Sequence, residues 1–204
     1  MRTIIPCAGF GTRVGMAANE SKEMLYHKGE RLIDRWLDIV PNPLVITREE
    51  KVDLLDHCAK RGVPTILVSH RNEWPSTVLA SESDWHENNL LILPDTTWDY
   101  RNVDLETVQM LLNADAEAVV GTHTVSDPYN WGCIIDWKIE EKPVQTRGPS
   151  KAWGFLGFKD WIGISLFKAM ANRQPYMLPD DVSFVGLRNF KDLTRGEYAA
   201  HLTR

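Results

Sequence analysis

Apolar residues run along this chain in two alternating rhythms. Short unbroken apolar stretches at residues 3–6 ("TIIP"), 43–47 ("PLVIT"), 65–69 ("TILVS") and 89–94 ("NLLILP") read as strands buried on both faces. Between them the apolar positions return every three or four residues: Leu32, Ile33, Trp36, Leu37 and Val40 ahead of Pro41, then Val52, Leu55, Cys58 and Ala59 ahead of Gly62. These predict helices, the second opened by a capping pair of Thr47 and Glu50. A further helix is expected from about Ser76 and another over residues 104–113, before the apolar "AEAVVGTH". After Asp127 the rhythm changes. "WGCIIDW", "KIEEKP" and "AWGFLGF" follow one another as strands without helices between, then helices are expected over 160–171 and from about Phe190 to Leu202. Alternating strands and helices predict an α/β fold: a three-layer α/β/α sandwich around a mostly parallel, Rossmann-like sheet, with a small strand-rich insert.

Composition narrows the function. At 204 residues and 43% hydrophobic the chain is expected to form a single domain with a full core, and it shows no repeat, low-complexity tract or linker. A net charge of −5 argues against a nucleic-acid coat or a binder of anionic membranes, though it leaves room for a local basic pocket. No stretch approaches the roughly 18 apolar residues of a membrane span. Cys7, Cys58 and Cys133 are odd in number, widely spaced and set among apolar neighbours, which fits a reducing cytoplasm better than a disulfide framework. The histidines never fall at metal-ligand spacing.

Chemistry concentrates where strands give way to loops, the place where open α/β sheets bind ligands. "PCAGFGTRVG" at residues 6–15 leaves the first strand through glycines that let backbone N–H groups turn toward an oxyanion, and Arg13 adds a planar fork of donors for phosphate oxygens. No Gly-Lys-Ser/Thr follows, so this is not a Walker loop. Lys22 stands nine residues beyond Arg13, and Asp95 follows the most apolar strand. The lesser alternatives are that Asp95 merely caps a turn with Thr96 and that Glu141-Lys142 is a solvated pair at a strand end.

Taken together these stretches resemble the sugar-1-phosphate nucleotidylyltransferases. "AGFGTRVG" and "SKEMLYHKGERLI" are similar to the family's A-A-G-x-G-T-R-L/M and P-K-x-L/M-L/V-x-V/I-x-G signature. "LLILPDT" resembles its L-x-G-D strand end, "DPYNWGCIIDWKIEEKP" its D-P-x-x-Y-G-V stretch and E-K-P, and "AWGFLGF" its N-x-G-I/L-Y-x-F strand. The likeness runs from Met1 to about Lys168. It implies transfer of a nucleotidyl group from an NTP to a sugar 1-phosphate, giving an NDP-sugar and pyrophosphate with Mg²⁺ as cofactor. Residues 1–125 would be the nucleotide-binding half and 126–204 the acceptor half. By the same resemblance Ala8, Gly9, Gly11, Thr12 and Arg13 bind the nucleotide; Arg13, Lys22 and Asp95 carry the catalysis; Asp95 binds the metal; and Gly132, Glu141 and Lys142 bind the sugar phosphate. In-line attack at phosphorus needs neutralised charge and alignment and no protein nucleophile, which suits such a set. Of the tryptophans, Trp131, Trp137 and Trp153 fall where a sugar or base would stack.

The match departs from the family at named points. Ser21 replaces a proline before Lys22, and Pro94 replaces the glycine before Asp95. The base-recognition stretch "HRNEWPSTVLAS" lacks the family's glutamine and offers Ser76-Thr77. Aligning "FVGLRNFKDL" with the second metal motif, D-V/I-G-T-x-x-D/E-L/Y, puts Phe184 on its aspartate and leaves Asp180 or Asp181 as substitutes. Three alternatives therefore stand beside the sugar reading: a cytidylyltransferase acting on phosphocholine or another small phosphate, a nucleotide-sugar-binding regulatory protein that has lost its chemistry, and a glycosyltransferase. The last usually carries D-x-D, whereas "PDTTWD" spaces its carboxylates four apart. A homo-oligomer is compatible with all of them.

Overall fold

The computed structural model describes residues 1–10, 20–69, 74–99, 104–144 and 149–193. In chain order the elements are β1 (Arg2–Pro6), a 3-10 turn at Lys22–Met24, the hairpin β2 (Tyr26–His27) and β3 (Glu30–Arg31), α1 (Leu32–Leu37), β4 (Pro43–Thr47), α2 (Val52–Lys60), β5 (Thr65–Leu67) and α3 (Trp74–Leu79). Next come β6 (Asn88–Ile92), β7 (Thr96–Thr97), α4 (Leu105–Ala114), β8 (Ala118–Val125), β9 (Gly132–Ile135), β10 (Lys138–Glu141) and β11 (Ser150–Lys159). The described chain ends with α5 (Asp160–Ala171), β12 (Tyr176–Met177), β13 (Val182–Gly186) and β14 (Lys191–Asp192).

One ten-stranded mixed sheet holds these together, in the order β12-β10-β9-β11-β6-β1-β4-β5, with β8 beside β11 and β13 beside β8. The parallel core is β6, β1, β4 and β5. Strands β9, β10, β11 and β12 extend the same sheet in antiparallel fashion, whereas β13 joins β8 in parallel. Adjacent residues of the strands point to opposite faces, which explains the unbroken apolar runs. Ile5, Leu90, Val119 and Phe155 pack under α1, α2 and α4, whereas Ile4, Leu91, Val120 and Leu156 pack under α3 and α5. The result is three layers, as the alternation of elements predicts.

Strand β11 sets the position of the site. Along one edge it pairs with β8 throughout, while on the other edge residues 155–159 pair with β6 and residues 151–152 pair with β9. Its partner changes at Trp153-Gly154, where the β8 ladder also shifts register. A Cβ on Gly154 would come 2.5 Å from the Phe190 ring and 2.6 Å from Leu187, so the kink has room only for glycine. The sheet therefore opens between the end of β6 and the start of β9.

Two predicted boundaries are corrected. Thr47 does not cap α2: it is the last residue of β4, fully buried and paired with Leu67, and the turn of residues 48–51 separates it from the helix. Nor does a helix start at Phe190, because Lys191 and Asp192 are extended and pair with Thr97 and Thr96; the rest of that predicted helix lies outside the described residues. The helix expected over 104–113 is α4, whose N-cap is Asp104, with the Thr107 N–H donating to its carboxylate at 2.6 Å. Among the described residues no helix is long and apolar enough to cross a membrane.

Candidate active site

The opening between β6 and β9 is a cleft of about 270 Å³. Ala8 and Gly9 line it from the end of β1, Lys22 from the 3-10 turn, Asp95 from the end of β6, and Gly132, Glu141 and Lys142 from the β9–β10 hairpin. These seven predicted site residues lie far apart in the sequence and meet in one place. Gly11, Thr12 and Arg13 lie outside the described residues.

Local structure explains each placement. The Ala8 carbonyl accepts a hydrogen bond from Arg48 Nε at 2.8 Å, and the Arg48 guanidinium lies 3.9 Å over the Phe10 ring. Lys22 begins its turn with the Met24 N–H donating to Ser21 O at 2.9 Å and the Leu25 N–H to Lys22 O at 3.1 Å. Its ammonium donates to the Asp95 carboxylate, both side chains being mostly buried. Asp95 itself sits in a turn that Thr96 closes by donating twice to the Leu93 carbonyl, from N at 3.2 Å and from Oγ1 at 2.8 Å. The turn-capping role therefore belongs to Thr96, and the Asp95 carboxylate faces Lys22.

At the other side Gly132 and Glu141 are opposite one another in the β9–β10 ladder. An added Cβ at Gly132 would fall 1.9 Å from Trp153 Nε1 and 2.8 Å from Glu141 Oε2, so the indole and the carboxylate close directly over the glycine. Lys142 follows in the left-handed region at φ 50°, a conformation uncommon for lysine, and its N–H donates to Trp131 O at 2.9 Å. Such backbone strain gathers at sites whose surroundings hold it in place. Behind Trp131, the His123 ring stacks on Phe190 at 3.6 Å, and burial lowers the His123 pKa to about 4, keeping it neutral at pH 7.

Some residues of the site escape sequence reasoning. Asp192 lines the cleft, brought beside Asp95 by the β14–β7 ladder and by the Leu193 N–H donating to Asp95 O at 2.8 Å. Its only signal in the sequence is the Asp192-Leu193 dipeptide, two residues beyond the place of the family's D/E-L/Y pair. Asp180 and Asp181 do not line the cleft, and Phe184, on β13, is half exposed against Trp137. Trp131 and Trp153 face the cleft as expected; Trp137 does not, and Trp74 from α3 takes the third place, 5.6 Å from Trp153. Of the base-recognition stretch, Thr77 lines the cleft and residues 70–73 lie outside the described residues. The cleft thus offers two lysines, three carboxylates and three tryptophans, a set able to hold anionic phosphates beside a polar group with stackable faces.

By sequence the chain matches no protein-family model and no curated protein. Its structure does match solved proteins over nearly its whole length. A provisionally named glucose-1-phosphate thymidylyltransferase of Bacillus anthracis, solved in complex with a sucrose, superimposes with a TM-score of 0.74 at 16% identity, covering 98% of this chain and 93% of the other. HddC of Yersinia pseudotuberculosis complexed with GMP-PN gives a TM-score of 0.67 at 13% identity, covering 98% and 96%. A second HddC structure gives 0.68 at 13% identity. This chain has the α/β fold of those proteins.

Proposed function

We propose that this protein is a cytoplasmic, Mg²⁺-dependent nucleotidylyltransferase that converts an NTP and a sugar 1-phosphate into an NDP-sugar and pyrophosphate. The observation that carries the reading is the meeting of Ala8, Gly9, Lys22, Asp95, Gly132, Glu141 and Lys142 around one cleft at the strand ends. The fold shared with a thymidylyltransferase and a GMP-PN-binding protein supports it.

In this reading residues 1–125 hold the nucleotide and residues 126–204 the acceptor. The acceptor's phosphate oxygen attacks the α-phosphorus, the bond from that phosphorus to the bridging oxygen of the β-phosphate breaks, and pyrophosphate leaves with the electron pair. The chain's work is to neutralise and align charge. Arg13 and the loop amides gather the triphosphate, Lys22 neutralises the phosphates at the reacting centre, Lys142 holds the acceptor phosphate and Glu141 accepts from its hydroxyls. A phosphate entering the cleft competes with Asp95 for Lys22, so the ammonium is stored where it is needed. Asp95 and Asp192 fit a Mg²⁺ ion, which commonly takes one or two carboxylates and completes its shell with water and substrate phosphate. No group of three potential ligands gathers among the described residues, so a closed all-protein cage is not what the cleft offers. Bound there, Mg²⁺ supplies neutralising charge to the phosphates.

The three tryptophans beside Glu141 and Asp192 favour one second reading, a cationic head-group such as phosphocholine in the acceptor place. A pyrophosphate-release screen of the common NTPs and dTTP against glucose, mannose, galactose and N-acetylglucosamine 1-phosphates and phosphocholine separates the two. Release from one NTP–sugar pair, abolished by Asp95→Asn, is the expected outcome. Release with phosphocholine alone would replace the sugar, and nucleotide-sugar binding without any release would sink the transferase reading in favour of a regulatory binder.

A further inference from the structure

Two cations are fully buried and do not line the cleft. Lys51 is 0% and Arg48 1% exposed. Burying charge is costly unless each donor is paired. Lys51 Nζ donates to the Cys7 carbonyl at 2.6 Å and to Glu23 Oε2 at 2.8 Å, and Glu23 is buried as well. Arg48 holds the Ala8 carbonyl and covers Phe10. Two residues after Lys51, the Asp53 carboxylate accepts from Ser21 Oγ at 2.5 Å. One six-residue stretch between β4 and the first turn of α2 therefore grips residues 7, 8 and 10 on one side and, on the other, residues 21 and 23, the immediate neighbours of Lys22.

We infer that residues 48–53 are a positioning brace that sets the spacing between the start of the glycine loop and Lys22, with the Lys51–Glu23 ion pair as its central strut. A buried ion pair contributes little stability over an apolar pair of similar size, whereas its directional bonds fix geometry. Lys51 is the group that bonds both sides at once, since one ammonium reaches a loop carbonyl and the carboxylate next to Lys22. The inference rests on the proposed transfer reaction only for its effect on rate; the brace itself is a statement about which segments hold which.

The test replaces the strut by an apolar pair, Lys51→Met with Glu23→Leu, which leaves no lone buried charge. Hydrogen exchange reads the amides that report on the two segments: Cys7, bonded to Ile46 O at 2.7 Å, and Met24 and Leu25 in the Lys22 turn. In a variant that still melts cooperatively, these amides are expected to exchange at least about tenfold faster while those of α5 keep the wild-type rate. With the substrate pair found for the wild type, kcat is expected to fall roughly 10- to 100-fold with the acceptor KM within about threefold, as misplacement of an otherwise intact charge set predicts. Unchanged exchange at all three amides, or an unchanged kcat, overturns the brace. Should the double variant fail to fold, Arg48→Met and Ser21→Ala carry the test separately: the first is expected to loosen Cys7 alone, the second Met24 and Leu25 alone, and no change in either overturns the inference. A wild type that releases no pyrophosphate from any pair removes the transferase reading and leaves the exchange experiment to decide the brace.

Discussion

Gly132 is the position where the architecture of the cleft makes its sharpest demand. In Gly132→Ala the new methyl would lie 1.9 Å from Trp153 Nε1 and 2.7 Å from Trp153 Cδ1, against about 3.4 Å for an ordinary contact. The indole must retreat by about 1.5 Å, and Glu141 Oε2 at 2.8 Å must give way as well. Trp153 is buried on β11 with Trp74 packed at 5.6 Å, so the space open to its indole is the cleft itself. Overpacking of this kind costs about 1–3 kcal/mol. For a chain of this size that lowers Tm by roughly 3–10 °C. In the proposed transfer reaction the larger effect falls on acceptor binding, where a displacement of about 1 Å costs on the order of a hundredfold. Calorimetry with the sugar 1-phosphate should therefore show strong loss of binding while nucleotide binding stays within about twofold, and kcat/KM for the acceptor should fall on the order of a hundredfold. Gly9→Ala serves as the stability control, because a methyl there meets nothing within 4 Å. A Gly132→Ala protein with the wild-type Tm and the wild-type acceptor affinity would refute the packing of Gly132, Trp153 and Glu141 on which the acceptor half of the cleft rests.

Asp192→Asn should lower pyrophosphate release by on the order of tenfold or more, whereas Asp180→Asn and Asp181→Asn, away from the cleft, should leave it unchanged; the reverse ranking in the same assay would return the second carboxylate to the β13 side. His123 gives a pH signature. Its folded pKa of about 4 lies below its ordinary value of 6.5, so the folded state binds fewer protons than the unfolded state between those values. Stability is whole above about pH 6.5 and falls as the pH drops toward 4, by on the order of 2 kcal/mol after allowance for partial solvent access. Urea melts at pH 7 and pH 4.5 should show a smaller difference for His123→Phe than for the wild type, and equal differences would discard the explanation.

What the sequence made legible follows from what each signal measures. Strands buried on both faces announce themselves as apolar runs, and β4 and α5 fall on their predicted residues because Pro43 and Asp160 mark sharp starts. Thr47 misled because its neighbours fit a capping pattern that reads only local spacing, while the β4–β5 pairing claims the residue for the sheet. Phe190 misled for the same kind of reason. The apolar spacing beyond it suits a helix, yet Phe190 stacks on His123 and the next two residues pair with Thr96 and Thr97. Short ladders of that sort are made by tertiary contact and leave no periodic trace. Nothing in the spacing of "TREEK" marks a buried charge, and only the fold reveals that Arg48 and Lys51 are buried against the Ala8 and Cys7 carbonyls.

The two carboxylates show why motif order can survive while motif register does not. Matching residue by residue puts Phe184 where a second acid is expected, and a phenylalanine there argues for lost chemistry. For the proposed Mg²⁺-dependent reaction the requirement is spatial: an acid beside Asp95, from whichever strand delivers it. Strand β13 runs parallel to β8 and leaves Phe184 on the outside against Trp137. The chain then turns through Leu187, whose N–H donates to Thr122 O at 2.7 Å, and returns along β7, where the Leu193 N–H bonds to Asp95 O and sets Asp192 at the cleft. The Phe184 substitution therefore does not weigh against the transferase reading. The weight passes to Asp192, whose neutral variant decides whether the acid that the fold brings to Asp95 is one the reaction uses.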